Sequence, residues 1–222
     1  MHDPAAIWSS RLVVFDKEIS NTQNAILSQA STALSSTIDL IRNLRALINV
    51  SPIKNFYISD PPYLIPSTLS NLCYQAGLAS TILFDDCKKK RSESSTSYKL
   101  RIERVAYVKK WCATRGLKTP TLENRSMRNA LTHIDEYMAD ALTKEGSTGW
   151  WIDSALKSRA EFMPPAGIKM QFCRSYVNDE DKLLHLDKEL SLKSLEEECS
   201  ALLAVVFGVP IKKTSLLNHL IF

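Results

Sequence analysis

From Ile7 to about Val50 the chain holds neither proline nor glycine, and apolar side chains recur at Leu12, Phe15, Ile19, Ile26, Ala30, Leu34, Ile38, Ile41, Leu44 and Ile48. Gaps of three, four and seven place these residues on one stripe of a helix. The stretch reads as one long helix, or as two with a break near the polar Ser20-Asn21-Thr22. Pro52 and Asp60-Pro61-Pro62 mark a connection. After it, Pro66 and Ser67 open a second helix that carries Leu69, Leu72, Cys73, Ala76, Ala79 and Leu83 and ends near Asp86. A third helix is expected from about Tyr98 to Thr114, with Leu100, Ile102, Val105, Ala106, Val108 and Trp111 on its buried side and Gly116 as its stop. Pro120 precedes a fourth, from about Leu122 to Thr143, closed by Gly146 and Gly149.

The final third changes period. Beyond Trp150-Trp151-Ile152 and the breakers Pro164, Pro165 and Gly167, the run from Ile168 to Cys173 alternates every second residue, as a strand does. A turn at Asn178-Asp179-Glu180-Asp181 and a second short run, Lys182 to Leu186, complete an expected small hairpin. Ser191 or Ser194 then caps a last helix through Leu195, Cys199, Leu202, Leu203 and Val206, stopped by Gly208 and Pro210. There is no internal repeat. The pattern predicts a mainly α fold, an antiparallel helical bundle with one small β-hairpin before the last helix. It forms a single domain over 1–222, with a core at about 7–145 and 191–207 and a hairpin-containing insertion at about 150–188.

Composition narrows the classes. At 222 residues, 45% apolar and 23% charged, the chain is long enough for a sizeable core and unlike disordered or collagenous sequences. Six glycines are few for a fold of many tight turns, and neither a GxxxxGK loop nor a GxGxxG fingerprint occurs, which disfavours nucleotide hydrolysis. The longest apolar stretches, such as Ala201 to Val209, fall well short of the roughly 20 residues of a membrane span. Met1-His2-Asp3-Pro4 lacks the features of a secretory signal. Cys73, Cys87, Cys112, Cys173 and Cys199 form an odd set with no close pair, so a cytoplasmic, reducing compartment fits best. No metal or other cofactor is expected. Net charge is +4 with a pI near 8.7, compatible with a polyanionic partner without implying one.

The basic run Lys88-Lys89-Lys90-Arg91 passes into Ser92-Glu93-Ser94-Ser95-Thr96-Ser97, which reads as an exposed, mobile loop. Its cations are a solvated cluster or, as candidate substrate-binding residues, a contact for nucleic-acid phosphates.

The fourth helix is the most informative element. Met127, Leu131, Ile134, Met138 and Leu142, with Ala130 and Ala141, form an apolar face. At about 100° per residue, Arg128 and His133 stand about 140° apart and flank the opposite polar face, which also holds Asn129, Thr132 and Glu136.

The string Arg128-Asn129-Ala130-Leu131-Thr132-His133, continued by Ile134-Asp135-Glu136, resembles the signature of the HEPN superfamily: an arginine, usually followed by a polar residue, and a histidine on the same helix with four to six positions intervening between the two, here four. The resemblance extends loosely from about Pro66 to Leu142 by helix order, and the hairpin-like segment after Pro165 departs from the simplest members. It implies a HEPN-like helical bundle, a homodimer with a composite site, and metal-independent cleavage of RNA by 2′-hydroxyl attack to a 2′,3′-cyclic phosphate. On that reading His133 is the general base or acid, Arg128 clamps the phosphate and the transition state, and Asn129 orients by hydrogen bonding. The chemistry suits these types, since histidine titrates near neutral pH while arginine stays charged and offers a planar fork to phosphate oxygens. A defence or toxin system is the implied setting, with an antitoxin or regulatory protein as a further partner and no membrane.

The contrasting class is a non-catalytic helical dimer that binds RNA, a nucleotide or a protein partner through the same face. In that case Arg128 pairs with Glu136 or Asp135 at the surface, and His133 joins a hydrogen-bond network with Glu136 or Tyr137. The other histidines, His2, His185 and His219, have no metal-type spacing. Asp85-Asp86-Cys87 reads as a solvated helix end paired with the nearby lysines. Trp111, Trp150 and Trp151 read as core or interface in preference to base stacking. Glu196-Glu197-Glu198 reads as the wet side of the last helix.

Overall fold

In the computed structural model the described residues are 21–51, 53–54, 57–58, 64–124, 129, 139, 150–152, 154–160, 170–185, 188–205 and 207. Helix α1 spans Asn21–Val50. From Ala30 onward its stripe is buried as the spacing predicts, with Ala30, Leu34, Ile38, Ile41, Leu44 and Ile48 within 5% of full burial, but one turn earlier the core takes Leu27 and leaves the expected Ile26 half-buried. Each large side chain on it contributes roughly 1.5–3 kcal/mol by leaving water. Ser51, which precedes Pro52, is disfavoured in the helical region, so the helix stops there. The expected Leu12, Phe15 and Ile19 positions lie outside the described residues.

Helix α2, Leu64–Phe84, begins two residues ahead of Pro66, which sits in the first turn, where its missing N–H leaves no intrahelical bond unmade. All six of its expected core residues are buried. Helix α3, Ser95–Thr114, starts earlier than the serine-rich composition suggests because Ser94 caps it: the Ser97 amide donates to the Ser94 hydroxyl oxygen at 3.0 Å. Gly116, at φ +64°, ends it. The Leu117 and Gly116 amides return to the Cys112 and Ala113 carbonyls, the six-to-one and five-to-two pattern of a left-handed helix stop. A one-turn helix α4, Pro120–Glu123, follows, with extended backbone at Asn124. The last helix, α5, covers Leu192–Val205, and Ser191 caps it by accepting from the Ser194 amide.

The mainly α bundle with one hairpin is overturned by the strands. Six of them, β1 (Ile53–Lys54), β2 (Tyr57–Ile58), β4 (Ala155–Leu156), β6 (Ser175–Val177), β7 (Lys182–His185) and β8 (Lys188–Ser191), form one mixed sheet in the order β1-β2-β4-β6-β7-β8. β4 and β6 run parallel, and the other neighbours are antiparallel. A separate parallel pair joins β3 (Trp150–Ile152) to β5 (Met170–Phe172). The fold is therefore helical with a substantial sheet.

The hairpin across residues 178–181 exists, but its first strand is Ser175–Val177; the alternating run at 168–173 contributes β5 to the parallel pair instead. The partner offset grows from 20 residues at Trp150↔Met170 to 21 at Ala155↔Tyr176. One extra residue is thus accommodated on the later segment, where Arg174 adopts φ 49°.

Helix α1 packs against α2 and α5, and α5 lies on β7 and β8. Ala155, Tyr176, Leu183 and Leu190, cross-strand neighbours on one face of the sheet, join the helical side chains in one core. Leu156, Val177 and Leu184, on the opposite face, are buried too. Arg45 of α1 fastens the layers: it donates to Asp181 at 3.2 and 2.6 Å and to the Glu196 carboxylate, while the Tyr176 hydroxyl donates to Asp181 at 2.9 Å. Those carboxylates hold the guanidinium above its usual range against the opposing effect of burial.

Candidate functional site

The basic run lies where the sequence places it, on an exposed connection between α2 and α3. Lys88, Lys89, Lys90 and Arg91 are all exposed. The connection is nevertheless stitched down. Arg101, only 7% exposed on α3, donates to the carbonyls of Asp85 at 2.7 Å and Cys87 at 3.1 Å, and to the Glu93 carboxylate at 2.9 and 2.8 Å. One turn further, Arg104, also 7% exposed, donates to the Ile82 carbonyl at 2.8 Å. These carbonyls belong to or follow the last turn of α2, where helix geometry leaves acceptors unpaired and the dipole favours cations. Two buried arginines thus close the end of one helix and fix the loop that leaves it.

The electrostatics follow from those contacts. Hydrogen bonding by Arg101 draws the Glu93 carboxyl down to about 2, and the same bond raises the Arg101 guanidinium. Arg104 is pulled the other way, by burial first and by Arg101 second. Asp85 is buried against Arg101 and Lys90, and exposed Asp86 pairs with Lys109 at 2.7 Å. The reading of Asp85-Asp86 as a helix end paired with lysines holds, but only Asp86 is solvated.

Arg128 and His133 lie outside the described residues. Asn129, between them in the chain, is helical and half-buried, and Ala139 ten residues on is helical and exposed. The approach to this segment is anchored at Leu122. Its amide and that of Thr121 each donate to the Glu198 carboxylate at 2.9 Å, and its carbonyl accepts from the Ser80 hydroxyl of α2. Asn129 is seven residues beyond Leu122, so the chain bounds their separation at about 25 Å. The expected fourth helix does not run unbroken from Leu122, since α4 ends at Glu123. Beside it, Pro120, Thr121, Asn124, Glu189, Leu190, Ser191 and Ser194 line an open cleft of about 210 Å³. Its one carboxylate, Glu189, is lowered by hydrogen bonds from Lys182 and then Arg159.

No family model, curated protein or solved structure matches the chain.

Arg101 and Arg104 are the residues that sequence reasoning missed. Their signal was present: with Val105, Val108 and Cys112 they fill one face of α3 at helical spacing, and all five are buried. Reading the same helix by its apolar residues alone misassigned Ala106, which is exposed, while Leu100, Ile102 and Trp111 are half-buried. Trp111 packs at the edge of the core with the Arg115 guanidinium over its ring, whereas the side chains of Trp150 and Trp151 lie outside the described residues. The three glutamates of α5 also divide: Glu197 alone is exposed, Glu196 binds Arg42 and Arg45, and Glu198 is 8% exposed. Among the described residues no helix is long and apolar enough to cross a membrane, and no group of His, Cys, Asp or Glu is arranged to hold a metal ion.

Proposed function

We propose that the protein is a metal-independent endoribonuclease in which Arg128 and His133 act on RNA, with Asn129 as an orienting partner. The observation that carries this reading is the string from Arg128 to His133, which resembles the HEPN signature, in a stretch whose described positions Asn129 and Ala139 are both helical. The reading rests on that string and not on a bundle architecture.

Chemically, the 2′-hydroxyl loses its proton to one histidine and attacks the adjacent phosphorus. The 5′-oxygen leaves with a proton returned by an acid, and a 2′,3′-cyclic phosphate remains. Arginine neutralises the charge that builds on the phosphorane oxygens. Side chains about 140° apart on one helix do not converge on one phosphate, so a two-fold pair of chains supplies the second copy of each. Cations at Lys88–Arg91 then serve as phosphate contacts away from the reacting bond.

The test is cleavage of several RNAs in excess chelator by wild type, Arg128→Ala and His133→Ala, with product ends identified by mass. Each substitution is expected to lower the rate about 10²-fold or more, and sedimentation should return a dimer. Cleavage by wild type no faster than by folded variants rejects the reading and leaves the non-catalytic binding class in its place.

A further inference from the structure

Charge in this chain is segregated. Residues 88–118 contain eleven Lys and Arg against two Asp and Glu, a net +9, whereas the rest carries 17 against 22. Two of the eleven, Arg101 and Arg104, are buried and hold the fold; the other nine are exposed.

The exposed cations are ordered by α3. At about 100° per residue, Ser95, Lys99, Ala106, Lys110 and Ala113 fall within an arc of about 60°, opposite the buried face that carries Arg101, Arg104, Val105, Val108 and Cys112. The loop continues the same ridge, because Lys89 donates to the Ser95 hydroxyl at 2.9 Å. A helix of 20 residues makes the ridge about 30 Å long. Between its lysines stand alanine and serine, which let a charged chain approach closely. Glu103 is the one carboxylate within α3, and it meets Lys99 only at 3.8 Å on an exposed i,i+4 spacing. Among the described residues no carboxylate pairs with Lys88, Arg91, Lys110 or Lys118.

We infer that this ridge, from the Lys88–Arg91 loop along Lys99 to Lys110, is a docking surface for a phosphodiester chain, and that its occupant is RNA. The choice of a polyphosphate over an anionic membrane follows from what the ridge lacks. Among the described residues the large exposed apolar side chains are Val50, Leu64 and Tyr74, all on α1 and α2, so α3 offers no apolar wedge for a bilayer. The choice of RNA over DNA rests on the ribonuclease reading above.

Fluorescence anisotropy with a labelled 20-nucleotide 2′-O-methyl RNA tests this, since that probe has no free 2′-hydroxyl to attack. Lys99→Gln/Lys110→Gln should weaken binding about fivefold or more at low salt and lower the salt slope by about 1.4, the value for two lost single-strand phosphate contacts. A charge-matched control, Lys157→Gln/Lys193→Gln, should stay within twofold of wild type. The inference falls if the two double variants behave alike, or if the helix pair binds as wild type. It falls equally if single-stranded DNA of the same sequence binds tenfold better, or if phosphatidylserine vesicles bind while RNA does not. Cleavage of an unmodified 20-mer separates the two readings: wild type that binds through this ridge without cutting rejects only the ribonuclease, and cutting with unchanged affinity in Lys99→Gln/Lys110→Gln rejects only the dock.

Discussion

The Glu198 carboxylate on α5 accepts the Leu122 amide of α4 at 2.9 Å, so a buried acid closes the start of a one-turn helix that lies 70-odd residues away in sequence. A second bond from Thr121, also at 2.9 Å, uses the other oxygen. Both donors are among the amides that a helix start leaves unpaired, and neither finds a partner in its own side-chain cap. Glu198→Ala should therefore cost about 2–3 kcal/mol, the penalty for stranding buried donors that had a charged acceptor. Glu198→Gln keeps one acceptor and should lose less. Urea unfolding of the three proteins checks this; equal stability of wild type and Glu198→Ala would sink it.

Glu93 gives a pH dependence of defined sign. Its carboxyl lies at about 2 in the fold against 4.5 as the ordinary value, because Arg101 binds the ionised form. A depressed acid contributes stability that is fully present above about 4.5 and is lost as pH falls towards 2. The difference in urea midpoint between wild type and Glu93→Gln should accordingly shrink as pH drops through that window. A difference that stays constant from pH 6 to pH 2.5 contradicts the assignment.

Thiol chemistry should single out one residue. Of the five cysteines, none in a disulfide, Cys73, Cys112, Cys173 and Cys199 are buried and Cys87 is half-exposed in the basic connection. Burial pushes the Cys112 and Cys199 thiols up, which removes the reactive thiolate as well as access. Ellman titration of the native protein should report one fast thiol, lost in Cys87→Ser, and five after denaturation. Two or more fast thiols would contradict the burial.

Gly116 isolates backbone strain. A Cβ there meets nothing within 4 Å, so crowding plays no part, but φ is +64°. Gly116→Ala should cost about 1 kcal/mol through left-handed strain alone, and Gly116→Asn, which tolerates that region better, should cost less. Thermal unfolding of both variants distinguishes strain from packing.

Most helices were legible because one face of each meets the core and the other meets water: the stripe of α1 and the six core positions of α2 follow directly. Of the sheet only part was: the run from Lys182 to Leu186 marks β7, whereas Ser175–Val177 is buried on both faces and shows no alternation, and β1, β2 and β4 are two residues each, too short for any period. Arg101, Arg104 and Glu198 escaped for a related reason. In a sequence, charge reads as a mark of solvent, whereas these groups are buried where helix ends leave backbone donors or acceptors without partners. At the candidate site, the exposure of Lys88–Arg91 was readable from composition, but the arginine stitching beneath it depends on α2 and α3 meeting.

The pairing of Tyr57 with Leu156 has a consequence for synthesis of the chain. β2 finds its neighbour only after about 100 further residues have been made, a wait of roughly 5–20 seconds at ordinary translation rates. During that interval the β1–β2 hairpin has an unpaired edge, and α1 and α2 have no sheet to cover. A nascent or truncated chain ending before Ala155 therefore exposes strand backbone and apolar helix faces together, the combination that drives aggregation. Such fragments should collect in the insoluble fraction, while the 222-residue chain pairs that edge with β4.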